Sequence, residues 1–159
     1  MPPACGVPCV CIRWLCPWGL DKSSQVNHRS DVTVLFICLH GSAKSLIAAE
    51  HLNRLAQMRG LAMRGESAGV EPDAGVPASV VAGLAGDGID VRGYAPRQVT
   101  AERLTTAAHI VSFGCDLRGM LGVSTPVTQW DDLPMVSDGY DAARDAIVAR
   151  VTAFVSAAR

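Results

Sequence analysis

An α/β fold is predicted, a three-layer sandwich around a four-stranded parallel sheet, and three observations predict it. Short apolar runs, of which Val34 to Ile37 is the clearest, alternate along the chain with longer stretches whose apolar residues recur at helical spacing. Such a run has the composition of a strand covered on both faces, as parallel strands are. Two of the runs also end in small-residue turns, Gly41-Ser42-Ala43 and Gly114-Cys115-Asp116, at the strand ends where ligands bind in sheets of this kind.

The elements follow in order. A first strand spans about Thr33 to Cys38. A helix then starts at Ser45, carries Leu46, Ile47, Ala49, Leu52, Leu55 and Ala56 on its apolar side, and runs to about Arg59, where Gly60 stops it. Leu61 to Ser67 reads as a second strand, entering Ala68-Gly69-Val70, and residues 71 to 77 as a loop. Pro77 opens a helix with Val80, Val81, Leu84 and Ala85 on one face and Gly86 and Gly88 at its end. Ile89 and Val91 are expected to form a short extended piece, and Thr100 to cap a helical turn over residues 101–104. Ala107 to Phe113 is the third strand, and Pro126 to Trp130 a short fourth. From Tyr140 to Ala158 the spacing of Ala143, Ile147, Val151, Phe154 and Val155 predicts one long amphipathic helix.

The chain has 159 residues, 49% of them hydrophobic and 18% charged, enough for one domain with a packed core. Its net charge of -1 gives no basic footprint for nucleic acid. No apolar run approaches the roughly 20 residues of a membrane span, and the expected setting is cytoplasmic. Residues 1 to 30 are expected to be an irregular tail, with residues 31 to 159 forming the domain. Cys5, Cys9, Cys11 and Cys16 in that tail match neither a zinc half-site nor a usual disulfide frame, and the opening is a poor signal peptide. His28, His51 and His109 have no partner at metal-ligand spacing, so neither metal nor cofactor is expected.

The chemistry is expected around Cys38. A strand that ends in a small-residue turn and opens a helix aims successive backbone N–H groups and the positive helix end at one point, which suits a tetrahedral oxyanion. Leu39, His40, Gly41, Ser42, Ala43 and Lys44 would form that cradle, with Cys38 on its rim as a thiolate nucleophile. Lys44 is expected to face the anion, and Trp130 to wall the site. His40 is a candidate to polarise the oxyanion or tune the thiol. A nucleotide phosphate loop does not fit, because Ala43 stands where glycine must precede the lysine.

The stretch Cys38-Leu-His-Gly-Ser-Ala-Lys-Ser resembles the anion loop of the low-molecular-weight protein tyrosine phosphatases and of the arsenate reductases built on the same fold. The resemblance covers roughly residues 33 to 157. Glu66-Ser-Ala-Gly-Val-Glu-Pro, Gly88-Ile-Asp-Val and Val111-Ser-Phe-Gly-Cys-Asp are more similar to the reductase branch. The resemblance implies that Cys38 is the nucleophile, that Ser45 stabilises its thiolate, that Cys115 is a second redox cysteine, and that Asp131 or Asp132 is the general acid. It implies first an arsenate reductase, with thioredoxin, mycoredoxin or a small thiol as reductant. The alternative is a phosphatase that hydrolyses phosphoesters through a phosphocysteine.

This sequence departs from the family pattern in three places. Lys44 holds the position of an arginine whose fork grips two oxygens at once. After Cys115 there is no further cysteine for a three-thiol relay, and Leu133 separates Asp132 from Pro134. Lys44 keeps open a third reading, a non-catalytic module that binds an oxyanion or phosphopeptide.

Overall fold

The computed structural model describes residues 31–120 and 125–158; the expected tail of residues 1 to 30 and its four cysteines lie outside them. The elements are β1 (Val32–Cys38), α1 (Lys44–Arg59), β2 (Met63–Gly69), α2 (Ala78–Gly86), α3 (Ala101–Thr106), β3 (His109–Ser112), β4 (Val127–Gln129), a 3-10 turn (Val136–Asp138) and α4 (Tyr140–Ala157). The sheet runs β2-β1-β3-β4 and every pair is parallel.

Side-chain alternation along the central strand divides the core in two. Val34, Phe36 and Cys38 point into a cluster with Leu46, Ile47, Leu52, Val80, Leu84, Ile147 and Val151, which come from α1, α2 and α4. Leu35 and Ile37 point the other way, toward Val99, Leu104, Ile110 and Leu117 around α3. Both faces of β1 are therefore buried, which is why its sequence is an unbroken apolar run rather than an alternating one. Trp130 stacks edge-on against Phe113, with ring centroids 5.8 Å apart, and lies 6.0 Å from Phe36.

The helix ends follow their sequence signals. Gly60 takes the left-handed conformation (φ 62°) and its N–H reaches the Ala56 and Gln57 carbonyls, closing α1. Thr100 caps α3, its side chain accepting from the Arg103 N–H. Helix α1 begins at Lys44, one residue before the expected start, and no side chain caps it.

Ile89 and Val91 join no strand of the sheet. Gly88 and Gly93 both adopt positive φ and turn the chain on either side of them. Ile89 instead donates its N–H to the Leu84 carbonyl at 2.8 Å, and Val91 is buried in the core. The free side of β2 is met further on, where Gly69 bridges Gln98.

A polar cluster ties three helices together behind the sheet. Asp87, just after α2, accepts from Tyr140 Oη at 3.0 Å and from Arg144 on α4. His51 Nε2 of α1 lies 3.5 Å from the same carboxylate, and Arg54 donates to the Asp87 carbonyl. Burial and the Asp87 bond push the Tyr140 phenol above its ordinary range, so it remains a donor. Among the described residues no helix is long and apolar enough to cross a membrane.

Candidate active site

The site forms where β1 stops. Cys38 is the last residue of that strand and is 7% exposed, paired across the sheet with Gly69 at the end of β2. Beyond them the two chains continue side by side: Val70 N–H donates to the Cys38 carbonyl at 3.2 Å, Glu71 N–H to Leu39 at 2.8 Å, and Asp73 N–H to His40 at 3.1 Å. The two loops touch backbone to backbone. A methyl group placed on Gly69 would lie 2.7 Å from the Gly41 nitrogen, and one on Gly41, where φ is 64°, would lie 2.6 Å from the Gly69 nitrogen. Two glycines are thus needed to bring the loops this close, and that approach curls residues 39 to 43 back over the sulfur.

Cys38 Sγ receives the Gly41 N–H at 3.2 Å and lies 3.0 Å from Ser45 Oγ. Ser45 Oγ is 2.9 Å from Ser67 Oγ, and Ser67 donates to the Gly41 carbonyl at 3.1 Å. Each hydroxyl has one proton, so these contacts have a direction. Ser67 spends its proton on Gly41, so Ser45 must donate to Ser67, and the remaining contact is satisfied by the Cys38 thiol donating to Ser45. When Cys38 ionises, Ser45 turns its proton to the sulfur and Ser67 turns to Ser45. The sequence places Ser67 at the end of the expected second strand but not beside Cys38, because that position depends on a contact between residues 22 positions apart.

The other predicted residues divide into two groups. Cys38, Leu39, His40, Ser42, Ala43 and Lys44 line one cavity of about 410 Å³, whose opposite wall is Pro77, Val80, Phe113, Met135 and Val136. Trp130, expected as a wall, is buried behind Phe113 instead. Asp73 also lines the cavity, accepting from Ser42 Oγ at 2.7 Å and facing His40 Nδ1 at 3.3 Å. It went unnoticed in the sequence because it belongs to a loop 31 residues from Ser42. Lys44 lines the cavity and donates one of its three N–H bonds to the carbonyl of the inserted Leu133 at 3.0 Å.

Cys115, Asp131 and Asp132 do not line that cavity. Asp132 is in an ion pair with Arg150 of α4. Asp131 and Cys115 border a separate hollow of about 440 Å³ with Gly114 and Gln129. Cys115 packs against the α3 side of the sheet, opposite to the cluster that holds Cys38. Burial raises the Cys115 thiol above its ordinary range and the neighbouring Cys38 adds to this, while a hydrogen bond from Ser112 opposes it.

No curated protein sequence matches the chain. Among solved structures it superposes on the Bacillus subtilis protein YfkJ with a TM-score of 0.73 at 20% identity, covering 82% of this chain and 96% of that one. A Vibrio cholerae low molecular weight phosphotyrosine phosphatase gives 0.71 at 16% identity over 79% and 95%. An arsenate reductase from Archaeoglobus fulgidus gives 0.63 at 27% identity over 77% and 98%. The first two likenesses are of fold alone. The family described as low molecular weight phosphotyrosine protein phosphatase matches residues 33–119, which hold the whole of the Cys38 loop. By its sequence match, its parallel sheet and the loop that closes over Cys38, the chain belongs to the low molecular weight phosphotyrosine protein phosphatase family.

Proposed function

We propose that this protein is a cysteine-dependent phosphohydrolase acting on phosphate monoesters that carry an apolar organic group. The cavity carries this reading. Cys38 lies beneath about 410 Å³ of space walled by Pro77, Val80, Phe113, Met135 and Val136. That volume lies in the range of sites for organic ligands, about 300–1,000 Å³, and exceeds what a bare oxyanion needs. The Cys38 thiolate attacks phosphorus, the ester oxygen leaves, and water then clears the phosphocysteine. The Leu39 to Lys44 backbone and the uncapped start of α1 receive the phosphoryl oxygens, with Lys44 as one positive charge at the rim. Hydrolysis of 4-nitrophenyl phosphate by wild type, abolished in Cys38→Ser, is the expected result. A Cys38→Ser variant as active as wild type would exclude it.

Arsenate reduction is the second reading. It is favoured by a second cysteine, Cys115, just beyond the end of β3, the strand paired with β1, and by the 27% identity to the Archaeoglobus reductase. Two electrons would come from the Cys38 and Cys115 thiols, forming a disulfide that thioredoxin, mycoredoxin or a small thiol reduces. Cys115 would first have to reach the Cys38 side of the sheet. Arsenate-dependent oxidation of Cys115, absent with phosphate, is the result that would favour reduction. If neither activity is detected while inorganic phosphate binds, the protein is a non-catalytic oxyanion module in which Lys44 holds charge without turnover.

A further inference from the structure

The phosphohydrolase reading requires a group that hands a proton to the departing ester oxygen, and neither Asp131 nor Asp132 lines the Cys38 cavity. We propose that His40, oriented by Asp73, is the proton-transfer group of this site; the proposal rests on that reading. The titratable side chains lining the cavity are Cys38, His40, Lys44 and Asp73. Cys38 is the nucleophile, Lys44 supplies positive charge while giving one N–H to the Leu133 carbonyl, and Asp73 is engaged by Ser42 and His40.

The surroundings of His40 fix its tautomer. Its Nδ1 faces two groups that can only accept, the Glu71 carbonyl at 3.4 Å and Asp73 Oδ1 at 3.3 Å. Nδ1 therefore carries a hydrogen in both charge states, and Nε2 is the nitrogen that gains and loses the proton. Asp73 is itself held: its N–H donates to the His40 carbonyl at 3.1 Å, and its other carboxylate oxygen accepts from Ser42 Oγ at 2.7 Å. Carboxylate and imidazole are thus fixed to each other through both backbone and side chain. The carboxylate at Nδ1 holds the ring in one orientation, so that Nε2 is the nitrogen left to exchange a proton with substrate or water. The His40 ring is about half exposed, open to substrate and to water.

The steps balance. As the Cys38 thiolate forms the S–P bond, the P–O bond to the organic group breaks and the leaving oxygen takes the proton from Nε2, leaving His40 neutral. Water then attacks phosphorus, its proton passes to Nε2, and the S–P bond breaks to return the thiolate and the imidazolium. Ester and water become alcohol and phosphate.

The test compares a good leaving group with a poor one. With phenyl phosphate, His40→Gln should lower kcat/KM, which reports the step that expels the ester oxygen, by about 100-fold or more, whereas with 4-nitrophenyl phosphate, whose leaving group needs little protonation, the loss in kcat/KM should be a few-fold. Asp73→Asn, which leaves the ring unoriented, should lower kcat/KM for phenyl phosphate more than for 4-nitrophenyl phosphate, a leaving-group dependence that mere loosening of the loop would not produce. Equal losses in kcat/KM on both esters in His40→Gln, with wild type active and Cys38-dependent, would overturn this proposal alone. So would a leaving-group-dependent loss in Asp131→Asn or Asp132→Asn but not in His40→Gln. A wild type that hydrolyses neither ester would overturn the phosphohydrolase reading, and this proposal with it.

Discussion

Lys44 offers one ammonium where two oxygens must be held, and one of its three N–H donors goes to the Leu133 carbonyl. Replacing it with a guanidinium would supply two parallel donors. Lys44→Arg should therefore raise kcat on 4-nitrophenyl phosphate by about 10-fold or more; a fall would mean that the pocket is shaped around lysine. The two described cysteines should differ sharply in reactivity. Burial and the nearby sulfur hold Cys115 protonated at neutral pH, so iodoacetamide should label Cys38 first and phosphate should protect it. Faster labelling of Cys115, unaffected by phosphate, would contradict this order. The sequence makes Cys38 and Ser45 legible because strand, turn and helix start are neighbours in the chain. Asp73 and the acceptor of Lys44 were not legible, since each depends on a contact made only after the chain folds, in the second case across 89 residues.

Among the elements, the strands and long helices follow from the periodicity of their apolar residues, with ends shifted by one or two positions. The exception is informative. Ile89 and Val91 alternate around a polar residue as a strand would, but the glycines flanking them turn the backbone, and packing against the core overrides local pattern. Where β1 and β2 end, the contact is between backbones, and substitution there tests whether loop position matters as argued. Gly69→Ala should cost about 1–3 kcal/mol in urea unfolding and also abolish phosphate binding, because the new methyl meets main chain that cannot swing aside. Gly60→Ala is the matched comparison. Its φ of 62° gives a backbone cost of about 1 kcal/mol, but nothing lies within 4 Å of the added methyl, so phosphate affinity should be kept. Equal loss of binding in both variants would show that binding follows global stability alone.

For the molecule as a whole, the Asp87 cluster makes stability depend on pH. Burial is the largest influence on His51 and lowers its pKa; Arg144 and Arg54 act in the same direction, while Asp87 opposes them. The unfolded chain, with histidine near 6.5, then binds more protons than the folded one just below that pH. The stabilisation is present above about pH 6.5 and is lost as pH falls below it. Tm should drop between about pH 7.5 and about pH 5, and His51→Gln should flatten that slope; an unchanged slope would place its origin elsewhere. The contact between Gly41 and Gly69 carries a different consequence, for engineering. The segment after β2 supplies Asp73 and Pro77 to the cavity, which makes it the natural piece to transplant from a relative in order to change substrate. It is also clamped to the nucleophile loop at separations that tolerate no added atom. A graft that brings any side chain to position 69 would arrive with new selectivity and a displaced cysteine, so the two loops must be exchanged together, as one cassette.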